Sequence, residues 1–582
     1  MSVRRTAGRL LGPALCLGMA ATAVPTAVAE VDGPATPTEA VLVDQTREKG
    51  LWEPLLGMFA HTAASADVNG DGYLDLYVGG FYQQMAWDKF FRFGTRGATE
   101  ISPDRLLLGG PDGFTADDSF PELRDGNSSG SSFADFDGDG DLDLLVSQYY
   151  PYEYVNNVPP PTNGQSVVVL ENVDGSFAEP RRVASEIGAR TVAVADYDAD
   201  GNLDFFVVED IYYQTQLGPS SSRLYLGNGD LTFDEATAES GLPADISGLG
   251  ASAADLNGDH APDLLVSGTL RKQSDPAGAG TYGRARLFVN DGSGSFTEAD
   301  ASMFTMRTGG WNDESAGMAV ADLNRDGRPD VVIGAHPYPG LTTVWPQPIH
   351  IYLNEGNDTD GNPRFRDVTE ETGIGAIDSK SAHITLVDTD QDGWLDIVSG
   401  VSVKDGTTPA VFKHLGVSGG VPQFATPTGL GSERVPTPEF SQWENAKIPR
   451  YWPTGVNGDF DRDGDVDSFM AEWFPELPSR YFDNRTERNG NWLTIKLPTT
   501  ELAPGTTVRI YDSPGNRPKA RDLVYSREFT PNESYGGGVP YELYAGVGRA
   551  RVVAVELIAP HTGERTLLRA VRTNREVTVT LP

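Results

Sequence analysis

Side-chain oxygens at positions 1, 3, 5 and 9 of the stretch Asp67-Val-Asn69-Gly-Asp71-Gly-Tyr73-Leu-Asp75 can wrap one hard cation, and the backbone carbonyl of Tyr73 at position 7 adds another donor. The pattern recurs six times. It returns as Asp135, Asp137, Asp139, Asp141 and Asp143, then as Asp196, Asp198, Asp200, Asn202 and Asp204. The fourth copy is Asp255, Asn257, Asp259, Ala261 and Asp263, and the fifth is Asp322, Asn324, Asp326, Arg328 and Asp330. Asp388, Asp390, Asp392, Trp394 and Asp396 form the sixth, and Asp459, Asp461, Asp463, Asp465 and Asp467 the seventh. Calcium takes six to eight oxygens at about 2.3–2.6 Å, which a tight loop with alternate acidic positions can supply. Isolated Asp-Gly turns need no metal. Seven copies, each with several carboxylates within nine residues, would repel themselves without a cation, so the expectation is up to seven Ca²⁺ ions. The Asp255 loop is expected to be the weakest, because His260 replaces the usual position-6 glycine and a fourth carboxylate is missing.

These loops are not EF-hands, since Val78, Val146 and Val207 stand at position 12 where a bidentate Glu would be required. A small-residue strand precedes each loop and a β-rich run such as LDLYVGG or PDVVIGA follows it, so each ion is expected in a strand-loop-strand hairpin. The loop starts are spaced by 68, 61, 59, 67, 66 and 71 residues, the steady period of a repeat architecture. A third strand such as RLYLGN and a fourth such as FDEAT complete each unit, and four-stranded units round an axis make a β-propeller. The last unit lacks a fourth strand, and the Val41 to Thr46 stretch is predicted to fill that vacancy and close the ring. The resulting fold class is all-β: a seven-bladed propeller over 41–489, with a small sandwich-like domain over 490–582.

The first residues carry Arg4, Arg5 and Arg9 before the apolar run LLGPALCLGMAATAV and end on Ala27-Val28-Ala29, a secretory signal pattern with cleavage expected after Ala29 and a linker over 30–40. The lone Cys16 lies inside that run, so the mature chain has no disulfide to staple it, and bound calcium is the obvious substitute. No later stretch is apolar for long enough to cross a bilayer. Formal charge is −38, which makes nucleic acid an improbable partner. Removing the three leader arginines gives −41, and seven Ca²⁺ would return it to −27, so much of the acidity is ligand chemistry.

With the metal loops at one end of the ring, the longer connections emerge at the other. They hold Trp52, Trp87, Trp311, Trp345, Trp443, Trp452 and Trp473, and aromatic loops on a rigid scaffold read as a ligand face for a glycan, protein or small molecule. The competing reading is an enzyme on the same scaffold, with Asp313, Glu314, Glu472 and His336 as candidate acid–base groups. His61 and His383, five or six residues before a metal loop, point to a structural or axial role.

The Asp-rich loops resemble the FG-GAP or VCBS repeats of calcium-loaded propellers, including those of integrin α-chains. The C-terminal segment, with Tyr541-Glu-Leu-Tyr-Ala-Gly-Val-Gly548, resembles the ASPIC/UnbV domain of the cartilage acidic protein 1-like family. It departs from that domain at Ala559-Pro560-His561-Thr562-Gly563, where Trp-Pro is usual. The resemblance implies secretion, calcium binding and extracellular recognition or adhesion, without settled catalytic residues. For the runner-up reading, related scaffolds imply a polysaccharide lyase or a natural-product tailoring or cyclising enzyme.

Overall fold

The computed structural model describes residues 40–81, 103–123, 126–149, 166–209, 222–268, 284–300, 302–304, 315–336, 349–375, 381–401, 408–427, 452–473, 475, 477–500, 502–513, 515 and 518–581. The leader, its cleavage point and most of the linker lie outside them, as do Trp87, Trp311, Asp313, Glu314, Trp345 and Trp443.

In every repeat the first strand ends one residue before the acidic loop and the second begins at its ninth position. Ala66 therefore pairs with Asp75, Ala134 with Asp143, Ala195 with Asp204, Ala254 with Asp263, Ala321 with Asp330, Val387 with Asp396 and Gly458 with Asp467. Third and fourth strands extend each pair into an antiparallel sheet, giving seven such sheets among the described residues. The first strands, such as Ala60–Ala66 and Ser315–Ala321, are buried and rich in Ala, Ser and Gly. Small side chains are required there because the inner strands converge. A Cβ on Gly317 would stand 2.2 Å from the Ala382 carbonyl oxygen of the next sheet. Each inner strand neighbours the next, and Gly455–Gly458 of the seventh sheet packs back against Ala60–Ala66 of the first. This circuit is the architecture of a β-propeller.

The seventh sheet is completed from the other end of the chain. Leu42–Asp44 lies antiparallel to Arg480–Asn484, with Leu42 opposite Asn484 and Asp44 opposite Phe482. Beyond it, the Val41 N–H donates to Thr486 Oγ1 at 2.9 Å, and Arg480 reaches Asp44 at 3.0 Å.

From Trp492 two further sheets form. One joins Glu542–Gly546, Trp492–Lys496 and Arg575–Thr578; the other joins Leu523–Glu528, Thr507–Tyr511, Val552–Ile558 and Arg565–Arg572. This tail packs on the metal-loop end of the ring. Thr499 Oγ1 donates to the Gly140 carbonyl at 2.9 Å, Arg509 to the Gly327 carbonyl at 3.1 Å, and the His561 N–H to the His260 carbonyl at 2.7 Å.

Between its sheets, the tail sends the segment around Asn532–Gly538 into the ring's centre. Gly537 and Gly538 pair in parallel with Ala63 and Ala64 of the first sheet. Asn532 accepts from the Val194 N–H at 3.0 Å and donates to the Val192 carbonyl in the third. The Ser534 N–H donates to the Met318 carbonyl at 3.0 Å, and its hydroxyl accepts from the Ile384 N–H at 2.8 Å. The axis is filled by protein. At the base of this plug, Arg527 Nη2 donates to both oxygens of the buried Glu533 at 2.8 Å.

Candidate metal loops and the opposite mouth

The seven loops share one internal wiring. The position-1 carboxylate accepts the N–H of position 6, from 2.7 Å at Asp388 to 3.1 Å at Asp135 and Asp196. The position-5 carboxylate accepts the N–H of position 7 at 2.8–3.0 Å. Position 9 is buried in every copy and accepts from the end of the third strand, as in Gly109 N–H to Asp75 at 2.8 Å and Asn172 N–H to Asp143 at 2.9 Å. Its carboxylate, carried by the second strand, therefore also ties down the end of the third.

Positions 4 and 6 are left-handed throughout. Position 6 is glycine in six copies, at φ 86–96°, and His260 adopts φ 76° in the fourth. A non-glycine residue there costs about 1–3 kcal/mol. Position 4 was missed from the sequence: Gly70, Gly138 and Gly258 share it with Ala199, Arg325, Gln391 and Arg462, all at positive φ.

Carboxylates so placed are short of positive charge. Burial pushes Asp75 up to about 7, with Asp71 and Asp67 adding repulsion, and it pushes Asp143 and Asp204 up to about 8. Oxygens of Asp135, Asp137 and Asp143, of Asp196, Asp198 and Asp204, of Asp388, Asp390 and Asp396, and of Asp459, Asp461 and Asp463 converge within 4.8 Å in each group. Buried oxygens without a hydrogen-bond donor remain at Asp137 Oδ1, Asp196 Oδ1, Asp459 Oδ1 and Asp461 Oδ1. A native structure rarely strands such atoms. Their presence fits a hard divalent cation, which would take those lone pairs and reverse the effect of burial.

At the other end, the described residues gather an aromatic group over the plug's tip. Phe81 stacks on His61 at 4.7 Å, Trp473 meets Phe81 edge-on at 5.1 Å, and Tyr535 of the plug meets His61 at 5.1 Å. Tyr149 lies 6.0 Å from Phe81, with the Arg190 guanidinium 3.7 Å above its ring. Trp473 is half-buried.

One residue read as ligand-facing is placed otherwise. Trp452 is 1% exposed and packs edge-on against Phe482 at 5.6 Å, so it is core. Trp52 is half-buried under Arg47 and Arg480, whose guanidinium carbons stand 3.4 and 4.8 Å from its ring. Glu472, read as an acid–base candidate, is fully buried. His336 is half-buried, 6.2 Å from Tyr535. His61 and His383 line the plugged axis, where His383 Nδ1 is 3.1 Å from the Ser534 hydroxyl.

The class of protein defined by these loops and sheets is a repeat propeller: a family model for the FG-GAP-like repeat matches residues 67–146, 209–266 and 274–333. Among individual proteins, the chain is similar to human cartilage acidic protein 1, with 24% identity over 476 residues that cover 77% of this chain and 62% of the relative. The mouse protein gives 24% over 469 residues, 77% of this chain and 63% of the relative. The chain thus spans less than two thirds of the length of these relatives. Among solved structures, BBS1N, crystallised in complex with ARL6DN, superposes with a TM-score of 0.42 at 9% identity, covering 77% of this chain and 99% of that one.

Proposed function

We propose that the protein is a secreted, calcium-loaded recognition module that binds an extracellular glycan, protein or small molecule at the end of the ring opposite its metal loops. The observation that carries this reading is the seating of the tail. Contacts from Thr499, Arg509, Glu528, Tyr544 and His561 occupy the metal-loop end, and the plug fills the axis, so among the described residues the aromatic mouth is the end that the tail leaves uncovered. Half-buried aromatic side chains on a rigid rim make good anchors, because they bring large contact area at little entropic cost. Similarity to cartilage acidic protein 1 and the leader pattern of residues 1–29 support an extracellular site of action. The acid–base reading gains no support from Glu472, which has no exposed surface from which to reach a substrate.

A glycan and extracellular-protein array probed in millimolar calcium, followed by titration of each hit, tests the proposal. Trp473→Ala should weaken binding by about 2 kcal/mol, roughly thirty-fold, with calcium content unchanged. Undiminished affinity in that variant would move the ligand site elsewhere, and turnover of a hit abolished by Glu472→Gln would replace recognition with catalysis.

A further inference from the structure

We infer that the sixth loop, Asp388 to Asp396, takes no divalent cation, and that the ammonium group of Lys413 holds its carboxylates together instead. This inference rests on the reading of the other loops as calcium sites.

Lys413 Nζ lies 2.7 Å from Asp390 Oδ1 and 2.7 Å from Asp396 Oδ2, the oxygens of positions 3 and 9 that a cation would bridge. It stands 3.4 Å from the Thr389 hydroxyl, and the side chain is 6% exposed. The remaining donors are also supplied by the chain. Asn489 Nδ2 donates to Asp390 Oδ2 at 2.8 Å, while the Thr389 N–H and hydroxyl reach Asp396 Oδ2 at 3.0 and 2.5 Å. Arg325 sits over the Trp394 ring at 3.5 Å and donates to the Gly393 carbonyl, bringing a second cation to the same loop. Asp390 Oδ1 and Asp392 Oδ2 accept no hydrogen bond; the first is matched by the Lys413 charge at 2.7 Å, and the second alone does not make a calcium site.

The position of Lys413 in the repeat makes the substitution specific. In each sheet, one third-strand N–H donates to the position-9 carboxylate: Asn172 to Asp143, His414 to Asp396 and Asn484 to Asp467, each at 2.8–2.9 Å. The residue just before it is Glu171 in the second sheet and Asp483 in the seventh, and Leu108, Leu226, Val289 and Leu353 in the others. Among the seven, Lys413 alone carries a positive charge. Glu171 adds to the field that would draw a cation into the second loop, whereas Lys413 cancels that field in the sixth. A calcium ion at 2.3–2.6 Å from the same oxygens would lie against a buried ammonium group with no solvent to screen the repulsion. The sixth copy therefore keeps the loop's shape without its ion, and the expected seven ions become six.

Equilibrium dialysis of the full chain against radioactive calcium, after chelator stripping, reads the count. Lys413→Leu should bind one more Ca²⁺ per chain than the parent, and Asp392→Asn in the native background should leave the parent's count unchanged. The second variant keeps the test decisive if the first does not fold. No gain in folded Lys413→Leu, or loss of one ion in Asp392→Asn, overturns the inference. Failure of the calcium reading itself is distinct, showing as a parent chain that binds none at all.

Discussion

His61 and His383 show what a sealed axis does to single residues. Burial, helped at His61 by the charge of Arg190, drops both imidazoles from 6.5 to about 3. Each is neutral when folded, while the unfolded chain takes up a proton below about pH 6.5. Their contribution to stability is therefore complete above pH 6.5 and is lost as pH falls toward 3, at about 1.4 kcal/mol per pH unit per histidine. At saturating calcium, His383→Asn should flatten the decline of denaturant midpoint between pH 6.5 and 4.5 relative to the parent. An unchanged slope would place the acid sensitivity elsewhere. Their axial role was readable from their place just before a metal loop. Position 4 of the loops was not readable, because Ala199, Arg325, Gln391 and Arg462 carry no preference for positive φ that would betray it.

Elements read well from the sequence where the pattern was local. The strands flanking each loop follow from a small-residue run before and a β-branched, apolar run after a fixed acidic spacing. The closing strand followed from counting what the last repeat lacked, and Leu42–Asp44 does pair with Arg480–Asn484. The plug could not be read this way. Asn-Glu-Ser-Tyr-Gly-Gly-Gly has the composition of an exposed turn, and only partners such as Val192, 340 residues away, make it an interior element. Its anchor gives a sharp prediction. Arg527→Ala leaves Glu533 buried without its partner, and breaking such a pair costs about 3–5 kcal/mol. The double change Arg527→Met with Glu533→Leu should recover much of that loss in thermal melts. If the single change melts like the parent, the pair does not anchor the plug.

At the scale of the molecule, one ring is closed by the chain's early strand and filled by its late segment. Deleting residues 41–46 should bare the edge of Arg480–Asn484 and yield aggregation or early proteolysis, visible by size-exclusion chromatography and limited trypsin digestion. A truncated chain that elutes and melts like the parent would show that closure does not depend on Leu42–Asp44. The same pairing dictates an order of assembly. Leu42 must wait for Asn484, some 442 residues later, and Ala63 for Gly537, 474 residues later. Contacts of such sequence separation fold slowly, because loop-closure entropy is lost before they can form. During synthesis the repeats can form their hairpins one by one, but the circuit stays open until nearly the whole chain is available. Asn532, Ser534, Gly537 and Gly538 bond to the inner strands of four different sheets, so the plug bridges sheets that the circuit must bring together. A chain interrupted before residue 532 would have to close its ring without any of those bonds.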